Sequence, residues 1–216
     1  YWQYWNHLEV DLYKYLEEGK SLADVKYITF TFYFDIYEKK YWTEMLDAIG
    51  VQEQLTMIGS FSFIRLTAPE NADALINAGF NVINLATNHT LDKGLKGLET
   101  CLETVYARPF DAVLGAFRTE EESTQLCILE EQGIRFGFLS YTYGLNGYQL
   151  PADKQWKIAL IDEAKIQNDL AVLRPECDYL IVSMHWGNEY QQQPSYAQRE
   201  LAQWLIGQGV DHIIGS

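Results

Sequence analysis

The chain has 216 residues, of which 48% are hydrophobic and 14% aromatic, and its formal net charge is −14. This length and composition fit one large globular α/β domain and exclude a disordered polar chain. The acidic excess leaves no basic patch of useful size, so we expect no nucleic-acid or anionic-membrane partner. An anionic substrate held through a metal ion stays possible on these grounds, because a bound cation can dominate the local field.

The first 68 residues carry little functional signal. Spaced leucines predict a helix that ends at Gly19, and alternating residues predict a strand over 25–34. Asp35 and Glu38 resemble a capping box and predict a helix that ends near Gly50. The many Tyr and Trp side chains here are either core and rim residues, the more common case, or a carbohydrate-stacking surface.

From Pro69 onward, strands and helices alternate. The helices are predicted to begin at Pro69, near Leu95, at Asp162 and at Ser195, the last two with an N-cap side chain. The strands are predicted at residues 80–86, 111–115, 126–130, 134–142, 178–184 and 211–215. Residues 126–130 and 134–142 form a predicted hairpin, and 143–157 a long polar loop. This order predicts a mixed-sheet α/β sandwich.

Cys101, Cys127 and Cys177 lack metal-ligand spacing and are odd in number. We interpret them as small buried hydrophobic residues with at most one disulfide. No apolar run approaches the ~18 residues that a membrane span requires. The chain starts at Tyr1 without a signal sequence and stops within a predicted strand, so we expect it to be a fragment of a longer protein.

A first polar cluster follows the predicted strand at 80–86. Asn88, His89 and Asp92 lie on a strand-to-helix turn, and ligands of α/β proteins collect at the carboxyl ends of strands. The three side chains offer an amide oxygen, an imidazole and a carboxylate, which suit a hard metal or proton transfer. The alternative is a structural turn in which Asp92 caps the next helix.

A second polar cluster, His185 and Glu189, follows the strand at 178–184, and Gly187 allows a tight backbone turn between them. A single strand-end histidine is more often structural. Two strand ends that each supply a histidine and an oxygen ligand indicate instead a mixed N/O metal site or an acid–base pair. Asn146, in the 143–157 loop, is a weaker candidate for the same rim.

Four blocks resemble a known family when taken together. They are NLATNHTLDKG at 84–94, YTYGLN at 141–146, VSMHWGNEY at 182–190 and GVDHIIGS at 209–216. In order and spacing they resemble the bacterial CapA family of capsule-synthesis or poly-γ-glutamate biosynthesis proteins. The resemblance covers residues 69–216 as a family-like core, and residues 1–68 match poorly within a single 1–216 domain.

The resemblance implies an αββα sandwich like that of the calcineurin-like metallophosphoesterases, with divalent metal ions of unknown identity. It implies that Asn88 and His185 are metal ligands and that His89 donates to the substrate oxyanion. Asp92 and Glu189 are further catalytic candidates without an assigned role. The Gly-Asp strand and Asn-Leu-Glu block of the family are missing from residues 1–68, and its His-Pro-His segment would follow the last residue given.

Two functions therefore stay open. The first is a metal-dependent hydrolase that cleaves a phosphoester or an amide of a capsule polymer, with His89 as general acid. The second is a non-catalytic component of a capsule assembly or export complex that holds the polymer in the same cleft. Both imply an anionic capsule polymer or its precursor and other capsule-synthesis membrane proteins as partners. Both imply an extracytoplasmic place in the cell envelope, with membrane anchoring through a segment absent from this chain.

Overall fold

The structure is a computed structural model that describes residues 32–33, 57–60, 69–77, 79–188, 191 and 193–216. Its strands are β1 Phe32–Tyr33, β2 Met57–Ser60, β3 Phe80–Asn84, β4 Ala112–Leu114, β5 Cys127–Glu131, β6 Ile134–Thr142, β7 Tyr179–His185 and β8 His212–Gly215. Its α-helices are α1 Pro69–Asn77, α2 Gly94–Tyr106, α3 Glu163–Leu173 and α4 Tyr196–Gly207. The helices predicted to end at Gly19 and Gly50 lie outside the described residues, as does most of the strand predicted at 25–34.

The strands form two four-stranded sheets. In the first, β1, β2, β3 and β4 lie side by side in that order and all run parallel. In the second, the order is β5, β6, β7, β8, with an antiparallel β5–β6 pair and parallel β6–β7 and β7–β8 pairs. Because β6, β7 and β8 are parallel, their carboxyl ends emerge at one edge of the sheet.

Three buried apolar clusters define the layers. One lies between the first sheet and helices α1 and α2, and includes Ile83 and Leu98. A second joins residues of both sheets, among them Val82 and Phe138. The third packs α3 and α4 against the second sheet and includes Leu180. The order of layers is helix, sheet, sheet, helix, which confirms the predicted mixed-sheet αββα sandwich.

Local sequence signals explain several element boundaries. Gln132 and Gly133 have φ values of 51° and 82°, the left-handed pair that a two-residue hairpin turn requires, so the predicted β5–β6 hairpin is confirmed. The Asp162 side chain accepts a hydrogen bond from the Lys165 backbone nitrogen, which confirms the predicted cap of α3. Ser195 forms a complete capping box at the start of α4.

The three cysteines are free, and Cys101 and Cys177 are buried. Burial raises the pKa of the Cys101 thiol to about 12 and that of Cys127 to about 11, so neither ionises near neutral pH. Both thiols therefore act as apolar side chains, as predicted. Among the helices within the described ranges, none combines the length and the apolar character needed to cross a membrane.

Candidate functional site

The turn between β3 and α2 is closed by two buried threonines. The Thr90 hydroxyl donates to the carbonyl oxygen of Leu85, and it also accepts from the Thr87 backbone nitrogen at 3.1 Å. Gly115, with φ of 80°, lies against the start of this turn, and a Cβ there would come within 2.4 Å of the Ala86 Cβ. Backbone packing therefore fixes where the Asn88–Asp92 segment leaves the sheet.

A buried amide joins this turn to the second sheet. The Asn84 Oδ1 accepts from the Ser140 hydroxyl at 2.6 Å and from the Ala86 backbone nitrogen at 2.9 Å. Its Nδ2 donates to the Ser183 hydroxyl at 3.1 Å. Asn84 is fully buried. One side chain thus connects the last residue of β3 to β6 and β7, the strands that lead to Tyr143 and end at His185.

Asn88 and His185 meet directly, although 97 residues separate them in sequence. The Asn88 Oδ1 lies 3.0 Å from the His185 Nε2. On its other side, the Asn88 Nδ2 donates to the Asn146 Oδ1 at 2.9 Å and to the Tyr143 hydroxyl oxygen at 3.1 Å. Two acceptors hold the amide nitrogen, so the amide oxygen is turned toward the histidine.

The His185 ring is held on three sides. Its Nδ1 lies 2.8 Å from the Ser216 hydroxyl, and its face stacks on Tyr143 with ring centroids 5.8 Å apart. Backbone bonds from Ser216 to Met184 and from Trp186 to Ser216 fix that hydroxyl beside β7. Burial, and secondarily the proximity of His89, lower the pKa of His185. The neutral imidazole that results is the form able to bind a metal.

His89 and Asp92 form a second pair at the outer side of the turn. The His89 Nδ1 lies 2.7 Å from the Asp92 Oδ2, and the His89 side chain is 47% exposed. At that distance Nδ1 must carry the proton, because a lone pair and a carboxylate oxygen would repel each other. The N-cap position of α2 is Lys93, without a side-chain cap. The alternative in which Asp92 caps this helix is therefore wrong, and its carboxylate binds His89 instead.

Asn146 connects the two pairs. Its Nδ2 lies 3.4 Å from the Asp92 Oδ1 and 3.1 Å from the His89 Nδ1, while its Oδ1 faces Asn88. A carboxylate only accepts hydrogen bonds, so it fixes the orientation of the Asn146 amide. That amide fixes Asn88, and Asn88 fixes the Nε2 side of His185. The weak sequence signal at Asn146 thus belongs to a residue at the centre of the network.

The structure brings together four of the five predicted site residues, namely Asn88, His89, Asp92 and His185. Glu189 lies outside the described residues. The sequence reasoning missed the contacts of Tyr143 and Ser216. In the observed register Thr142 pairs with His185. A predicted pairing of β6 with β7 would therefore have placed Tyr143, the residue after β6, beside His185.

The donor atoms fit a metal ion in part. An amide oxygen and an imidazole nitrogen are atom types that bind divalent ions, and the Asn88 Oδ1 and His185 Nε2 converge at 3.0 Å, a distance at which they form a hydrogen bond with each other. Within the described ranges, no group of three or more His, Cys, Asp or Glu side chains could hold a metal. The described residues therefore supply two convergent ligand atoms and do not complete a ligand set.

Comparison with known proteins adds a family match. The model of the family described as "Bacterial capsule synthesis protein PGA_cap" matches residues 52–216. The PGA biosynthesis protein CapA of Bacillus subtilis (strain 168) is 28% identical over 158 residues, which are 69% of this chain and 39% of that protein. The capsule biosynthesis protein CapA of Bacillus anthracis is 28% identical over 157 residues, 70% of this chain and 38% of that protein. The chain thus spans about two-fifths of the length of these relatives.

Among solved structures, a sulfate thiohydrolase SoxB of Thermus thermophilus in complex with glycerol aligns over 82% of this chain and 32% of its own. The TM-score is 0.49 and the sequence identity 12%. These values are too low to support an argument about fold or activity.

Proposed function

The chain belongs to the bacterial capsule synthesis protein PGA_cap family, and on that premise we propose that it is a metal-dependent hydrolase of an anionic capsule polymer of the poly-γ-glutamate type. The bond cleaved is a phosphoester or an amide of that polymer. The observation that carries the proposal is the convergence of the Asn88 Oδ1 and the His185 Nε2, 3.0 Å apart, beside the His89–Asp92 pair. Ligand atoms and a proton-transfer group then share one edge of the sandwich.

Asn88 and His185 would hold a divalent ion in this proposal. When bound, such an ion supplies Lewis-acid polarisation of the scissile group and an activated water molecule. The Ser216 hydroxyl supports His185 as a ligand, because it can accept a hydrogen bond from the His185 Nδ1 when Nε2 is deprotonated and free to bind the ion. The Asn146 Oδ1 keeps the Asn88 amide nitrogen turned away from the ion.

His89 is the proposed general acid. Its Nδ1 proton is engaged by Asp92, so Nε2 is the nitrogen that exchanges a proton with the substrate. A proton on Nε2 passes to the leaving group, and the Asp92 carboxylate stabilises the imidazolium that precedes this transfer. Asp92 thereby acquires the specific role that the sequence left open, which is to orient and charge-stabilise His89.

Electrostatics support a role for a cation. The chain has a net charge of −14, so an anionic polymer is repelled at long range. A divalent ion at the Asn88–His185 pair would reverse the field locally, where the polymer binds. From the family membership we also propose that the protein acts at the extracytoplasmic side of the cell envelope, with capsule polymer and other capsule-synthesis membrane proteins as partners and with a membrane anchor outside this chain.

One observation favours a second function. The Asn88 Oδ1 and the His185 Nε2 lie at a hydrogen-bond distance of 3.0 Å, and Ser216 and Tyr143 hold the other sides of the ring, so these contacts form without an ion. The alternative is therefore a non-catalytic component of a capsule assembly or export complex that holds the polymer at the same edge.

Alanine variants of the two histidines test the hydrolase. His185→Ala should weaken Mn²⁺ binding by more than the ~10–100-fold that loss of an outer partner costs, because a ligand atom is removed. His89→Ala should retain Mn²⁺ binding and slow hydrolysis by ~10²–10⁴-fold, the usual contribution of a general acid. Calorimetric titration with Mn²⁺ measures the first effect. Amine release from γ-linked polyglutamate, with a p-nitrophenyl phosphoester in parallel, measures the second.

His212→Ala is the matched control, since this exposed histidine begins β8, at the end of the strand away from Ser216. His212→Ala should change neither the Mn²⁺ affinity nor the rate of hydrolysis. If the two site variants bind Mn²⁺ and hydrolyse substrate as the wild type does while losing thermal stability, the cluster is structural. Polymer binding without hydrolysis by the wild type would instead establish the non-catalytic alternative.

A further inference from the structure

Tyr143 combines contact with both proposed ligands and exposure to solvent. Its hydroxyl oxygen lies 3.1 Å from the Asn88 Nδ2, and its ring stacks on His185 at an interplanar angle of 25°. The side chain is nevertheless half exposed. The backbone explains this placement, because Tyr143 is the first residue after β6 and its nitrogen donates to the His185 carbonyl oxygen at 2.9 Å.

The phenolic proton of Tyr143 is not used by the network. The Asn88 Nδ2 can only donate, so the Tyr143 oxygen is the acceptor in their hydrogen bond. Among the residues that the structure describes, none accepts a hydrogen bond from this hydroxyl. A half-exposed O–H group whose oxygen is already fixed is prepared to donate to a bound molecule.

We propose that Tyr143 is a substrate-binding residue that donates its phenolic hydrogen bond to a carboxylate or acyl oxygen of the γ-glutamyl polymer. This inference rests on the proposed function for the nature of the polymer. The charge of the site suits this donor, since a neutral hydroxyl recognises an anionic oxygen without adding a charge beside the Asn88–His185 pair. Because the Tyr143 ring already stacks on His185, binding costs little additional side-chain entropy.

A purely positioning role predicts a different result. If Tyr143 only oriented Asn88, its hydroxyl would matter for metal binding. The Asn146 Oδ1, at 2.9 Å, is a second acceptor for the same Asn88 nitrogen and holds the amide without Tyr143. Asn146 is itself fixed by a left-handed backbone, with φ of 50°, and by Asp92. The metal site should therefore tolerate loss of the phenol, whereas polymer binding should not.

The test compares Tyr143→Phe with the wild-type full chain, and Tyr148→Phe is the matched control. Tyr148 is half exposed on the same loop. Titration with Mn²⁺ alone should give affinities within about twofold for all three proteins. Titration of the Mn²⁺-loaded proteins with a γ-linked glutamate pentamer should show ~10–100-fold weaker binding for Tyr143→Phe only, the cost of a hydrogen bond to a charged acceptor.

Two results would overturn the assignment. In the first, Tyr143→Phe weakens Mn²⁺ binding tenfold and pentamer binding only in proportion, which is the pattern of a positioning residue. In the second, Tyr143→Phe binds the pentamer as tightly as the wild type does, or the wild type does not bind the pentamer. A wild-type protein that binds the pentamer and does not hydrolyse it would refute the proposed hydrolase, and the affinity comparison would still decide the role of Tyr143.

Discussion

The side chains at the interface between the two sheets change from apolar to polar over two residues along each of three strands. Its deep part is apolar, and the layer nearest the site is polar. On each strand the two layers are two residues apart and so face the same side. The pairs, apolar residue first, are Val82 and Asn84, Phe138 and Ser140, and Ile181 and Ser183.

The difference shows how stability and site geometry are divided. Apolar contacts in the deep layer are non-directional and stabilise the sandwich in proportion to the area they bury. Hydrogen bonds in the polar layer are directional and fix the distance between strand ends to within a few tenths of an ångström. Asn84, as the shared partner, sets β3 against β6 and β7 immediately before the chain reaches Asn88, Tyr143 and His185.

The largest expected effect comes from breaking the apolar layer. Phe138→Ala should lower the free energy of unfolding by ~3–5 kcal/mol, because it removes a buried aromatic ring and leaves a cavity between the sheets. The folded fraction should keep its Mn²⁺ affinity, since the polar layer is intact. Denaturant unfolding and calorimetry on one preparation measure both quantities. A tenfold loss of Mn²⁺ affinity in the folded protein would contradict this division between layers.

Breaking the polar layer should give the opposite pattern. Asn84→Ala leaves the Ser140 and Ser183 hydroxyls without this partner and should cost ~1–3 kcal/mol of unfolding free energy. Mn²⁺ affinity should fall ~10-fold or more, because His185 and Asn88 are no longer held in register. NMR of the His185 ring nitrogens reports the same loss without metal. Ser183→Ala, which removes one of the bonds, should lie between wild type and Asn84→Ala in both measurements.

Much of this architecture is predictable from local sequence. The apolar runs of β3 and β7, the Gln132-Gly133 turn and the Asp162 and Ser195 caps depend on neighbours within a few residues, and each is present. The mixed α/β sandwich follows from them, whereas the αββα order of layers was implied by the family resemblance. The observed boundaries of the elements differ from the predicted ones by one or two residues. For example, β7 ends at His185, one residue after the predicted end.

The site network was predictable only in part. Strand-end logic indicated that Asn88 and His185 would emerge at one edge, and a direct bond between them is present. The role of Asn84 could not be read from the sequence, because its partners lie 56 and 99 residues away on another sheet. Asp92 was ambiguous between a helix cap and a site residue, since both follow from its place before a helix. Only the position of the His89 ring decides between them.

The smallest expected effect lies at the other end of β7, at the exposed pair of Arg135 and Asp178. Three hydrogen bonds from Arg135, two from its side chain and one from its backbone, lower the pKa of the Asp178 carboxyl from 3.8 to about 2. Because the folded-state pKa is the lower one, the pair stabilises the fold above about pH 4, and this contribution is lost as the pH falls toward 2.

Asp178→Asn should therefore be slightly less stable than the wild type at neutral pH, and the difference should vanish near pH 2. Unfolding free energies of both proteins from pH 2 to 6 measure it, and 1 M NaCl should reduce it, because the pair is open to solvent. A difference that stays constant across this range would mean that the carboxylate contributes through its shape and not its charge. The exposed pair would then act like the buried polar layer, whose bonds are not expected to titrate.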